Sequence, residues 1–501
     1  MTPTLRPVLM LIRARSSGTL ARWRREHVPC SRRSDIKGVR VRILRFISVG
    51  LWILGLTVLL LPMVRDDSAS SNARLEEKAK NRAERESRLE SLGIAQRYEV
   101  HSLLGDYREV LFVEQDFEQV EAWLEALYAQ SDDPYLALNY YRSMFKLIEI
   151  RHGLSPEDMD EVLKAWIAQN PQAYRPHFLR GRFLIQRGWH VNSYSFGYGL
   201  NIGARELFRE AESELLMAES KNGADPNAAA ALIFVEMGLK RGMERVDAAY
   251  QRAIRADPDS VIARYNRLYA VLPKCGGSWE AVEEVVAEAK RASVEFPLLN
   301  IMARYSAFEM KTRGRSYEQY HDAWETQLSF AHPFMGQLDR NEGDLILLCN
   351  AARYASKGRE FALAESFFSE IGDRFHIDSN FKDLMEFNDY RAWTHAKVAR
   401  TKEEPLRTEM LERALEMAPT HYYTNYAMGV EKLAAADLDS ADTHLTRSQE
   451  RNPDYGPVYV GLAELAQRKG DTNGAEVYAR RALKQGVSGV LEAQAREILD
   501  N

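Results

Sequence analysis

The chain has 501 residues, of which 45% are hydrophobic and 28% charged, with a formal net charge of −5. That balance excludes a disordered or collagen-like chain and leaves room for more than one domain. The charge is uneven: residues 1–45 hold twelve Lys/Arg against Glu26 and Asp35, a net of +10, so the remainder carries −15 and lacks the clustered basic face that a nucleic-acid partner requires.

The basic tail, 1–45, runs into residues 46–64, FISVGLWILGLTVLLLPMV, nineteen residues without a charge. At about 1.5 Å per residue this is long enough to cross a hydrocarbon core of roughly 30 Å, and a single transmembrane helix is predicted. The full tail carries more Lys/Arg than the downstream flank, with Arg42 and Arg45 at the membrane edge. This orientation puts the N-terminus in the cytoplasm and the body on the periplasmic or other extracytoplasmic side of an inner (plasma) membrane. Residues 31–37 also resemble a twin-arginine export signal, and Ser68-Ala69-Ser70 offers a small-residue cleavage site. A run this long followed by charged sequence favours a retained anchor. Translation could also begin nearer Val39, because VRVRILRF is an ordinary short basic lead. Residues 65–92 mix charges of both signs, and Leu75 and Leu89 alone cannot build a coiled-coil seam, so a solvated stalk is expected.

The body is expected to be all-α, with a period set by Pro419 and Pro453, which stand 34 residues apart. Upstream, in 93–300, Pro171 closes one unit, Gly181 and Gly188 fall at the small first-helix and turn positions, and Ala211 leads the second helix. Ala211 arrives 23 residues after Gly188 where about five are expected, so about eighteen residues are inserted, with three more before Pro226. The insertion, 189–205, contains Gly197, Gly199 and Gly203, spaced GxGxxxG after a helix. A dinucleotide loop needs GxGxxG directly after a strand, so no nucleotide cofactor is expected. Its rings, Trp189, His190, Tyr194, Phe196 and Tyr198, either fold back into the groove or form a rim for a glycan or peptide. Tyr250, Ala253 and Pro258 close a further unit, and a second insertion, LPKCGGSW at 272–279, separates two more helices.

In 301–501, helices are expected at 345–356, 358–371 and 387–400, and Ala414 marks another second helix before Pro419. Gly429, Ala441 and Leu445 lie between the two spaced prolines, followed by Tyr459, Leu462, Ala463, Gly470-Asp471, Ala475 and Ala482. These small residues let two antiparallel helices approach closely. The pattern resembles the tetratricopeptide repeat family, clearly over 422–486, and implies a helix-turn-helix solenoid that binds protein along its inner face. That face would present Tyr423, Tyr426 and Glu464. The Lys/Asn clamp of some such repeats is missing, its positions being held by Tyr426, Val430, Val460 and Glu464. Residues 489–501 read as a capping helix. Phe117, Trp166, Arg187-Gly188-Trp189, Pro258 and the 272–279 motif make residues 107–300 resemble an uncharacterised bacterial family, which implies a repeat-like helical fold and no activity.

Catalytic chemistry finds no footing. The eleven histidines include no pair at i,i+3 or i,i+4, so no metal site is built on one helix. No hydrolase elbow, zinc-protease or kinase signature occurs. Cys275 and Cys349 could pair in an oxidising compartment. The expectation is a membrane-anchored scaffold for a protein partner, without enzyme activity, cofactor or nucleic acid; the alternative is a glycan or small-ligand binding module in envelope polymer assembly.

Overall fold

The computed structural model describes residues 97–150, 154–192, 202–292, 296–302 and 324–500, together with Ser87 and Ser91. The tail, the predicted membrane span and nearly all of the stalk lie outside the described residues, and so do Tyr194, Phe196 and Tyr198. Among the described residues no helix is long and apolar enough to cross a membrane. The body forms two compact units, one containing His101–Leu347 and the other Leu348–Asn501 with Arg85–Val100.

The first unit is a succession of helices: α1 (Phe117–Tyr128), α2 (Pro134–Leu147), α3 (Pro156–Gln169), α4 (Tyr174–Asn192), α5 (Ile202–Lys221), α6 (Pro226–Leu239), α7 (Met243–Ala256), α8 (Val261–Ala270), α9 (Trp279–Ala292) and α10 (Trp324–Leu338). Local chemistry fixes several starts. Asp133, Ser155 and Asp225 cap α2, α3 and α6 through their side chains, and each is followed by a proline, whose missing N–H costs nothing in the first turn. The three extra residues counted before Pro226 therefore disappear. Pro258, Pro419 and Pro453 each stand two residues before a helix cap, whereas Pro226 directly follows its cap, and Gly223 holds the equivalent place.

Helices α2, α4, α6 and α8 are the first helices of successive pairs, and each touches the next; α8 also lies against α2, so the row closes into a ring. Enclosure explains their composition. Ala228–Val235 of α6 is apolar all round and buried along its whole length, as a helix with neighbours on every side must be. By contrast, α7 buries only Val246, Ala249, Tyr250 and Ala253, one stripe at helical spacing.

The second insertion is a compact turn. Gly276 adopts φ +98°, Cys275 N–H donates to the Leu272 carbonyl at 2.8 Å, and the Gly277 N–H reaches the same oxygen at 3.2 Å. A β-carbon on Gly277 would overlap the Val271 carbonyl, which explains the second glycine. Ser278 then receives the Ala281 N–H at 3.2 Å as α9 begins.

The second unit contains α11 (Leu345–Lys357, beginning at the unit boundary), α12 (Phe361–Ile371), α13 (Leu384–Ala399), α14 (Leu406–Met417), α15 (Tyr422–Ala434), α16 (Leu438–Arg451), α17 (Gly456–Arg468), α18 (Thr472–Lys484) and α19 (Val490–Asp500). First helices α13, α15 and α17 contact one another in order, with α14, α16 and α18 packed behind them. This is the expected tetratricopeptide-like arrangement. Its key contact is Leu445: a β-carbon on Gly429 would lie 2.7 Å from the leucine Cγ, and one on Gly461 2.9 Å from its Cδ2. One leucine of α16 thus locks its own first helix and the next. Helix α19 buries Ala495 and packs Leu491, Ile498 and Leu499 onto the core, while Glu492 and Arg496 pair on its surface. A feature outside the all-α expectation is a small strand contact before α13, where the Glu99 N–H donates to the Asp373 carbonyl at 2.9 Å. Cys275 and Cys349 are both thiols, and neither forms a disulfide.

Candidate functional site

Helix α4 carries more buried charge than its apolar surroundings lead one to expect. Arg175 reaches Glu121 at 2.8 Å, Glu125 and the Tyr140 hydroxyl, and its guanidinium stacks over the rings of Tyr128 and Tyr174. One turn on, Arg180 donates to Asp160 at 2.9 Å and to Glu210 and Glu214, while His177 meets Glu214 at 2.6 Å. Burial alone would raise the Asp160 pKa, but hydrogen bonds from Arg180 and Lys164 outweigh it and hold the carboxyl below its ordinary value. Arg187, near the end of the helix, pairs with Glu157 at 2.7 Å. These contacts tie α4 to its neighbours on several sides.

The Arg187-Gly188-Trp189 motif packs. Gly188 was expected at a tight turn, but α4 continues four residues beyond it, and α5 starts at Ile202, nine residues ahead of Ala211. The added sequence therefore lengthens both helices by a turn or more. Gly188 is needed because the Phe208 ring of α5 lies where its β-carbon would be, at 3.0 Å, and the same ring presses on Gly238 of α6 at 2.6 Å. Trp189 meets Phe208 edge to face, with centroids 5.2 Å apart and planes at 70°, and is half-buried; His190 is exposed. Of the five expected rim residues the structure thus places two on α4, one of them packed on Phe208.

In the second unit Tyr423 and Tyr426 are only 2% and 5% exposed, so their rings belong to the core as much as to any groove. They join Tyr422 and Tyr455 in one cluster, with Tyr426 and Tyr455 centroids 5.3 Å apart and Tyr422 and Tyr455 5.1 Å apart. Lys397 of α13 sets its ammonium 3.9 Å from the Tyr423 ring centre, and Arg400 donates to the Tyr423 hydroxyl at 3.3 Å. Burial raises the Tyr426 and Tyr455 hydroxyls above the ordinary tyrosine range, so these two act as neutral donors and acceptors at neutral pH. Glu464 lies partly exposed on α17, bonded to Arg468 at 2.5 Å. The structure therefore brings Tyr423 and Tyr426 together and adds Lys397, Arg400, Tyr422 and Tyr455, which sequence reading missed. Only the adjacent pair Tyr422-Tyr423 hinted at the cluster, since Lys397 and Tyr455 come from neighbouring repeats. Among the described residues no group of three His, Cys, Asp or Glu is arranged to hold a metal.

Residues 104–237 match the family described as Domain of unknown function (DUF4034). The match spans Phe117, Trp166 and the Arg187-Gly188-Trp189 motif and stops short of Pro258 and of 272–279. No curated protein matches the chain. Among solved structures it is similar to the crystal structure of yeast Tom70, at 12% identity over 79% of this chain and 94% of that one, with a TM-score of 0.26. It is also similar to the human IFIT1 dimer with PPP-AAAA, at 12% identity over 88% and 92%, with a TM-score of 0.25. Likenesses this loose carry no argument about the chain. The repeat assignment rests on the helix pairing and glycine contacts above.

Proposed function

We propose that this chain is a helical-repeat scaffold that binds another protein through the first-helix face of its second unit, and that residues 46–64 hold it to a membrane with the body on the extracytoplasmic side. The tyrosine cluster with Lys397 and Arg400 carries the reading. Four tyrosines and two cations from α13, α15 and the start of α17 meet at one place, and Tyr and Arg are the residues that anchor protein interfaces. The partly exposed Tyr422, Tyr455, Lys397 and Glu464 form its edge. Of the rim that the glycan alternative needs, Trp189 packs on Phe208 instead of standing free.

Crosslinking of the full-length chain in its native cell tests the reading. The expected result is a stoichiometric protein partner retained by Arg496→Ala, on the cap, and lost with Lys397→Glu or Tyr455→Ala. A partner profile unchanged by both would overturn it. A C-terminal reporter active only outside the cytoplasm tests the location; a silent reporter on an expressed chain would refute the membrane topology.

A further inference from the structure

Arg182 differs from the other arginines of α4. It is 1% exposed, and Nε, Nη1 and Nη2 all lack a hydrogen-bond partner among the described residues. Its guanidinium is instead walled by three rings, with centroids 5.9 Å away at Tyr141, 5.2 Å at Phe145 and 5.7 Å at Phe234. The polar atoms around it are equally unspent. Gln186, one turn along the same helix and 5% exposed, has neither amide atom bonded, and the Tyr141 hydroxyl is buried without a partner. Arg353 of the second unit shows the usual solution: also enclosed by rings, it meets Glu386 at 3.3 Å. Arg175 and Arg180 each meet acids as well.

A guanidinium stays charged at any ordinary pH, and a buried charge without a counter-ion is strongly unfavourable. The ring-lined site also lowers the Arg182 pKa by burial, and Tyr141 is the titratable neighbour that offsets this. We infer that Arg182, Gln186 and Tyr141 form a buried site for a small carboxylate inside the ring of first helices, between α2, α4 and α6. The class follows from the donors. A planar carboxylate matches the guanidinium fork, accepts from the Gln186 amide and the Tyr141 hydroxyl, and brings the one negative charge that one arginine balances. A phosphate would leave charge unmatched. All five residues lie within 104–237, the segment that matches DUF4034. The site is independent of the protein-binding face proposed above.

The test is thermal melting of the full-length protein in detergent, titrated with sodium acetate against sodium chloride at equal ionic strength. The wild-type midpoint of the first unit should rise saturably with acetate. Arg182→Met should melt at or above wild type in chloride and give no saturable response to acetate. Gln186→Leu, which keeps the charge, should weaken the response severalfold, as should Tyr141→Phe. No acetate response in wild type, or an equal one in wild type and Arg182→Met, overturns the proposal and leaves Arg182 hydrated by buried water. If Arg182→Met fails to fold, the wild-type titration and the Gln186→Leu variant still decide.

Discussion

Gly181 of α4 and Leu215 of α5 pack so closely that a β-carbon on the glycine would stand 2.7 Å from the leucine Cγ. Gly429 and Leu445 make the same contact at the same 2.7 Å. The first pair is 34 residues apart in sequence and the second 16, a difference of 18, which is the length of the insertion measured from the repeat spacing. The helix pair is unchanged at its centre and extended at its far end.

Gly181→Ala should therefore destabilise the first unit, and Gly429→Ala the second. Overpacking costs about 1–3 kcal/mol, offset in part by the roughly 1 kcal/mol that alanine gains in a helix. Urea unfolding followed by circular dichroism measures each. Leu215→Ala combined with Gly181→Ala should cost less than the two separate losses added together, because the added methyl then has room.

Gly277→Ala should be worse than either. The obstacle is the Val271 backbone carbonyl, which cannot turn aside as a leucine tip can. A loss of at least about 3 kcal/mol is expected, the upper range for a single steric change. Gly276→Ala has open space but a left-handed backbone, and should cost about 1 kcal/mol. Thermal melting of the two variants side by side checks the order; equal midpoints would refute the turn geometry.

His421 predicts a pH dependence. It caps α15, its Nδ1 accepting from the Thr424 N–H at 3.4 Å and lying 3.0 Å from the Thr424 hydroxyl. Burial holds its pKa down to about 4. Folding favours the neutral ring, so the stabilisation is complete above about pH 6.5 and is lost as pH falls toward 4. The loss is up to about 3 kcal/mol, less where the ring's partial exposure lets water reach the cation. His421→Asn keeps a capping side chain without a proton to gain, and should flatten stability between pH 6.5 and 4 in denaturant melts.

The solenoid was legible because its small residues repeat: Gly429 and Ala463, Ala441 and Ala475, and Pro419 and Pro453 each stand 34 residues apart, and proximity follows from period. Gly188 was misplaced for a physical reason, since a glycine at a turn and one under an aromatic ring look alike in sequence, and Phe208, which decides between them, lies 20 residues away. Tyr423 and Tyr426 were legible as neighbours on a helix, but Lys397 reaches them from the preceding repeat. Arg182 carries a signal of its own: RPHFLRGRFLIQR sets four arginines into a helix too apolar to face water. Which of the four finds an acid depends on α1, α3 and α5, and spacing along α4 does not encode that.

The contact between α2 and α8 changes what kind of array the first unit is. An open stack of repeats can fray from its ends and can gain or lose a member at little cost. A stack whose first and last members touch can do neither, because removing one breaks two interfaces and adding one leaves no place to close. Such a unit should unfold in a single step, and growth during its evolution is confined to helix ends and the links between them, which is where both of its extra segments lie.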